Sequence, residues 1–238
     1  MDVIELLPRL HLLRFPVGQA YLWSDDDTAT LIDAGTIGSG RGIADALTAL
    51  GRAPSSVRRI VLTHFHEDHA GGAGEFAALS GAEVLAHRLD APVVLGTAPG
   101  PEPRFEDWER PLHARAAQLL PPGDPVRPGR VTELSDGDVL DFGGGARVVH
   151  VPGHTHGSIA VHLPEHGVLF TGDAVAAAPG TGEVIPGVFN LARARMLASF
   201  GRLAALDTEM ACFGHGAPVT KHATPTLRKA ADRHGVGR

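Results

Sequence analysis

The chain has 238 residues, 43% of them hydrophobic and 20% charged, which suits one globular domain long enough to bury a sizeable core. Its formal charge of −6, from 21 basic and 27 acidic residues, argues against a nucleic-acid backbone as partner. A single cysteine, Cys212, excludes a disulfide framework, and neither a leader at Met1-Asp2-Val3-Ile4-Glu5 nor a membrane-length apolar run is found, so a cytoplasmic protein without a membrane partner is expected.

In chain order, residues 2–33 read as antiparallel strands: Leu10 to Phe15, Gln19 to Trp23, and Thr28 to Asp33 after the acidic turn Asp25-Asp26-Asp27. The third ends in Asp33-Ala34-Gly35, which leaves a carboxylate at a strand terminus. Gly40 to Leu50 reads as a helix with Ile43, Leu47 and Leu50 on one stripe, stopped by Gly51. Arg59 to Thr63 is short, apolar and β-branched, the pattern of a buried strand.

Directly after it comes Thr63-His64-Phe65-His66-Glu67-Asp68-His69, then the glycine-rich Ala70-Gly71-Gly72-Ala73-Gly74 that opens a helix through Leu79. Imidazole and carboxylate are the side chains that zinc, iron and manganese accept. His64 and His66 lie two apart, so in extended backbone both point the same way. Asp68 and His69 fall where the chain turns into the helix, aimed at a neighbouring point. That arrangement suits two adjacent metal ions better than one.

Glu83 to His87 is a further strand. Residues 88–130 break the rhythm, with two proline-rich stretches around a short helix over Trp108 to Leu120. This segment reads as an insert, a candidate lid or pocket wall, with Arg104, Phe105 and Trp108 as possible lining. Strands follow at Val131 to Leu134, Asp138 to Phe142 and Arg147 to Val151. Pro152-Gly153-His154-Thr155-His156-Gly157-Ser158 is a second histidine loop at a strand end. A hairpin, Ile159 to Leu163 and Val168 to Phe170, delivers Thr171-Gly172-Asp173. A helix over Leu191 to Leu206 has Leu197, Phe200, Leu203 and Ala204 on one side. The strand Glu209 to Phe213 ends in Gly214-His215-Gly216, and Thr224-Pro225 caps a last helix.

The strand-end groups are therefore Asp33, His64, His66, Asp68, His69, His154, Asp173 and His215. In this order and with these flanking glycines, the chain resembles the metallo-β-lactamase-fold hydrolases, from Asp33-Ala34-Gly35 through Gly214-His215-Gly216. The resemblance implies one domain with an αββα sandwich, two mixed sheets flanked by helices and the metal site at one edge. It assigns His64, His66 and His154 to a first metal, Asp68, His69 and His215 to a second, and Asp173 as the bridge. It makes Asp33 a residue that orients a ligand imidazole rather than touching metal. An aspartate at 173 resembles the glyoxalase II, lactonase and phosphodiesterase branches; the zinc β-lactamases usually carry Cys or Ser there. His156 stands where many relatives have Pro, and its reach toward the site mouth is left open.

Two divalent ions, most simply zinc, with iron or manganese as alternatives, would lower the pKa of a shared water and polarise a scissile carbonyl or phosphoryl oxygen. Asp68 is then the candidate proton shuttle to the leaving group. Cys212 reads as core. The leading expectation is a hydrolase of a small carboxylic-acid derivative: thioester, lactone or ester. The glyoxalase II enzymes add a C-terminal helical domain for glutathione; few residues follow His215 here, which argues against that specific substrate. Homoserine-lactone lactonases place a tyrosine after the bridging aspartate, whereas the one tyrosine here is Tyr21. A phosphodiesterase and a mononuclear-iron persulfide-type dioxygenase are the alternatives, separated by product and by metal content.

Overall fold

The computed structural model describes residues 1–236. The chain divides into two compact units: residues 1–100 with 114–134, and residues 101–113 with 135 onward.

The first unit is built on a seven-stranded mixed sheet in simple chain order. Strands β1 (Asp2–Leu7), β2 (Leu10–Arg14), β3 (Gln19–Ser24) and β4 (Ala29–Ile32) run antiparallel. Then β5 (Val57–Leu62), β6 (Glu83–His87) and β7 (Thr132–Leu134) continue in parallel with β4. The parallel half needs crossovers, and helices α1 (Ser39–Ala49), α2 (Glu67–Ala70) and α3 (Ala73–Ser80) supply two of them. Register aligns Leu22, Leu31, Ile60 and Val84 across four strands. This row packs with Ile43 and Leu47 of α1 and Phe76 of α3. Each such side chain contributes roughly 1.5–3 kcal/mol by leaving water. The expected α1 stripe shifts slightly: Ile43, Ala46 and Leu47 are buried, while Leu50 lies beyond the last turn and is exposed. Helices α4 (Ala91–Val94) and α5 (Glu109–Ala117) lie within the 88–130 insert, and the short α4 has no signal in the sequence pattern.

The glycines after the histidine cluster let backbones meet. Gly72 sits against Ala34: its N–H donates to the Gly35 carbonyl at 3.1 Å, and a Cβ there would run into the Ala34 carbonyl oxygen.

The second unit holds a five-stranded mixed sheet in the order β14-β11-β10-β9-β8. Its strands are β8 (Val139–Leu140), β9 (Ala146–His150), β10 (Ile159–Leu163), β11 (Val168–Phe170) and β14 (Met210–Cys212). All neighbours are antiparallel except β11 and β14, which pair in parallel with Phe170 opposite Cys212. A separate hairpin, β12 (Val175–Ala177) with β13 (Val184–Pro186), has no counterpart in the sequence reading, because three-residue strands leave no readable alternation. Helices α6 (Arg193–Ala204) and α7 (Ala223–Arg233) cover Val149, Ala160, Leu169 and Ala211 with Phe200, Leu203, Leu227 and Ala230. Met196, rather than Leu197, completes the buried stripe of α6. The strand expected over Asp138 to Phe142 shortens to two residues, because Gly143, Gly144 and Gly145 all take positive φ and turn the chain early. The cap expected at Thr224 also differs: α7 starts at Ala223 behind His222, and the Thr224 hydroxyl instead accepts the Thr208 N–H at 2.8 Å.

Two outcomes follow from this packing. Gly72→Ala should destabilise the fold by about 1–3 kcal/mol, read as a lowered midpoint in denaturant melts, because backbone and not a flexible side chain must move. His162, buried on β10, is held below the usual imidazole pKa chiefly by desolvation, against the bond from its Nε2 to the Asp207 carbonyl. A depressed folded-state pKa means that the unfolded chain binds the proton better, so this contribution is lost as pH falls through the ordinary imidazole range near ~6.5. Melting between pH 7.5 and 5.5 should therefore drop less for His162→Gln than for the parent chain.

Candidate metal centre

In the first unit the polar cluster sits where β4 and β5, parallel neighbours, both end. Asp33 follows β4 in the left-handed region (φ 61°), a conformation that aspartate tolerates better than most residues. Its buried carboxylate takes three donors: the Thr63 N–H on Oδ1 at 2.7 Å, the Thr63 hydroxyl on Oδ2 at 2.8 Å, and His69 Nδ1 on Oδ2 at 2.9 Å. Thr63 Oγ1 also lies 3.0 Å from His64 Nδ1. A hydroxyl has one proton, and here Asp33 receives it. The Thr63 oxygen must then accept, so His64 carries its proton on Nδ1. The same logic puts the His69 proton on Nδ1. In the neutral form of either ring the lone pair then lies on Nε2.

Backbone geometry arranges the rest. His66 is extended (φ −61°, ψ 149°) and caps α2, and its carbonyl accepts the N–H groups of His69 and Ala70 at 3.0 and 2.8 Å. The Phe65 N–H between the two histidines donates to Asp90 Oδ2 at 3.2 Å. Asp90 is buried and pins this turn; it has no distinctive motif, which is why sequence reasoning passes over it. Ring centroids of His64 and His66 lie 4.7 Å apart, and those of His64 and His69 4.3 Å. Asp68 Oδ2 is 3.5 Å from His69 Nε2.

In the second unit the parallel pairing of β11 and β14 brings two more groups together. Thr171 donates to the Cys212 carbonyl at 2.9 Å and Gly214 to the Gly172 carbonyl at 3.1 Å, so the two strand ends advance side by side. Asp173 and His215 emerge from them with Oδ2 to Nε2 at 3.2 Å. His154 leaves the loop after β9, where Gly153 (φ 138°) crosses the start of α6 so closely that a Cβ would meet the Met196 backbone. Its Nδ1 donates to the Val188 carbonyl at 2.9 Å, and its Nε2 lies 3.5 Å from Asp173 Oδ2.

These contacts carry the chemistry. In each unit an imidazole Nε2 lies 3.5 Å from a carboxylate oxygen. Imidazole nitrogen and carboxylate oxygen are the donor atoms that divalent metals accept. Neutral imidazoles fixed by a hydrogen bond on the far nitrogen are the usual partners of a divalent metal. The donor sets of both units therefore fit metal ions. The first unit thus gathers His64, His66, Asp68 and His69, and the second His154, Asp173 and His215.

The other histidines are placed plainly. His156 is exposed, and its carbonyl accepts from His150 Nε2 at 2.9 Å. Cys212 is fully buried, and burial pushes its thiol pKa far up, which leaves it an inert core residue. Trp108 is 52% exposed, whereas Phe105 stacks near His113 and Phe189.

A family model described as "Metallo-beta-lactamase superfamily" matches residues 13–215. The chain belongs to that superfamily. Among curated relatives it is 34% identical over 159 residues to a hydroxyacylglutathione hydrolase of Cereibacter sphaeroides, covering 66% of this chain and 48% of that protein. It is 38% identical over 124 residues to the acyl-coenzyme A thioesterase MBLAC2 of Gallus gallus, covering 48% and 40%. The chain thus spans about half the length of the hydroxyacylglutathione hydrolase. Among solved structures, a metallo-beta-lactamase family protein of Thermus thermophilus is 27% identical with a TM-score of 0.68, over 97% of this chain and 81% of that one. A subclass B3 metallo-beta-lactamase from a soil metagenome library reaches a TM-score of 0.73 at 23% identity, over 99% and 93%, a likeness of fold. The two mixed sheets with their helices are those of this fold.

Asp33→Asn should set an amide donor against the His69 Nδ1 proton and turn that ring over. Zinc affinity, measured by chelator competition, is expected to fall roughly 10–100-fold while the far-ultraviolet circular dichroism stays unchanged.

Proposed function

We propose that this chain is a metal-dependent hydrolase of small carboxylic-acid derivatives, with thioesters as the leading substrate class. In this reading the chain takes a pair of divalent ions, most simply zinc. His64, His66 and His154 would hold one ion and Asp68, His69 and His215 the other, with Asp173 as the shared ligand. The observation that supports it is the gathering of imidazole nitrogens beside carboxylate oxygens at the strand ends, His69 with Asp68 and His154 with Asp173 at 3.5 Å and His215 with Asp173 at 3.2 Å. When bound, such ions make hydroxide available near neutral pH and polarise a scissile carbonyl.

The chain's own residues have distinct tasks. Asp33 and the Val188 carbonyl hold Nδ1 of His69 and of His154 and so turn each Nε2 forward. Asp90 and Thr63 fix the backbone and ring of the His64–His66 turn. Asp68 returns the proton to the departing thiolate or alkoxide. Cys212 is too deeply buried to act as nucleophile. Thioesters lead because the relatives reported above are named as hydrolases of hydroxyacylglutathione and acyl-coenzyme A. Since the match covers about half of the former, recognition of glutathione itself is not part of the proposal.

The test is a panel of an acyl thioester, a lactone, a carboxylic ester and a phosphodiester, run on protein of measured metal content. Two zinc equivalents per chain and acid release from thioesters support the reading. Phosphate-ester cleavage alone would point to a phosphodiesterase, and one iron with oxygen uptake to a dioxygenase; either overturns it. Asp173→Ala and His64→Ala should each lose bound metal and reduce kcat/KM at least about 10³-fold, about 4 kcal/mol of barrier.

A further inference from the structure

We propose that Glu109, on the insert helix α5, is a positioning residue for His154. It acts through a strained loop rather than by touching substrate or metal. The inference rests on the reading of His154 as a metal ligand, and extends it to a residue 45 positions away that has no motif of its own.

His154 keeps its Nδ1 proton on the Val188 carbonyl. That carbonyl belongs to the loop Gly187-Val188-Phe189-Asn190, which follows β13. The next residue, Phe189, sits at φ 58°, the left-handed region, which disfavours a residue that carries a β-carbon. Such a conformation lasts only where its surroundings impose it. The 101–113 limb of the insert imposes it at three points. The Phe189 N–H donates to Glu109 Oε1 at 3.1 Å. The Arg104 N–H donates to the Asn190 carbonyl at 2.9 Å. The Phe189 ring lies 6.0 Å from Phe105 and 5.2 Å from His113, centroid to centroid. Within the loop the Asn190 carboxamide donates to the Gly187 carbonyl at 2.8 Å and closes the turn.

Glu109 is the least ordinary member of this clamp. It is 1% exposed in a helix whose other residues are mostly at the surface. Its second oxygen accepts the Glu106 N–H at 2.9 Å, so one carboxylate fastens the start of α5 and the strained peptide together. A buried carboxylate between two backbone donors costs desolvation that a plain surface connection would not need. What it secures is the direction of the neighbouring carbonyl, and through that the tautomer of His154. Without it, Phe189 can relax toward negative φ, the peptide rotates, and the Val188 carbonyl leaves the ring.

The test uses the full chain with Glu109→Ala and the milder Glu109→Gln, whose amide can accept only one of the two donors. Long-range proton–nitrogen correlation spectra of metal-free protein read the His154 tautomer directly. The parent should show the Nδ1–H form, Glu109→Ala a mixture with the Nε2–H form, and Glu109→Gln an intermediate ratio. Zinc affinity by chelator competition should fall about tenfold in Glu109→Ala and less in Glu109→Gln. Trp108→Ala, one residue away and exposed, should change neither readout. If both Glu109 variants fold but keep the parent tautomer and zinc affinity, the proposal fails. His154→Ala separates the two levels: if that variant binds zinc like the parent, the metal reading itself is wrong, whereas lost zinc there with unchanged Glu109 variants refutes only the clamp.

Discussion

A carboxylate that accepts three hydrogen bonds at once is the constraint on which the first unit depends. Asp33 joins the ends of two parallel strands through Thr63, and in doing so decides which nitrogen of His69 and, through the threonine hydroxyl, of His64 is protonated. No proton can move without leaving another group unpaired in a buried place, which would cost about 1–3 kcal/mol. The two Nε2 atoms are thereby turned outward by the fold itself.

The second unit reaches the same end by other means. It has no equivalent of Asp33 among its described residues. A main-chain carbonyl orients His154, and a parallel strand pair sets Asp173 beside His215. The carbonyl is only as well placed as its loop, and that loop is held in an unfavourable conformation by side chains from the insert. The two halves therefore differ in what sustains them: one relies on a compact side-chain network, the other on backbone kept under tension.

How much of this is legible in the sequence follows from distance along the chain. The His64 to His69 cluster declares itself because four donor-type residues fall within six positions after a strand-like run. Asp173 and His215 are readable because each follows a short apolar strand and a glycine. Six strands of the seven-stranded sheet are readable as short runs of β-branched and apolar side chains; the edge strand β1 (Asp2–Leu7) is not among those the pattern gives. What escapes a sequence reading has one physical character. Asp90 and Glu109 work by accepting N–H groups from residues 25 and 80 positions away, and a backbone donor leaves no mark on composition. The β12–β13 hairpin and the start of α7 are set by tertiary contacts of Val175 to Pro186 and Thr224, which local propensity cannot register. The anchoring of residues 101–113 to the 187–190 loop is invisible in the sequence.

The parallel pairing of β11 with β14 has an evolutionary corollary. Asp173 and His215 are fixed by neighbouring strands, so the excursion linking them can change length at small entropic expense. It is not wholly at liberty, however, because Val188 lies within it and its carbonyl must accept the His154 Nδ1 proton. Variation between homologues should collect on either side of that tether, at the hairpin tip around Gly180 and Gly182 and on the outer face of α6, and thin out across Gly187 to Asn190. Lineages that reshape this stretch would have to do so in two separate instalments.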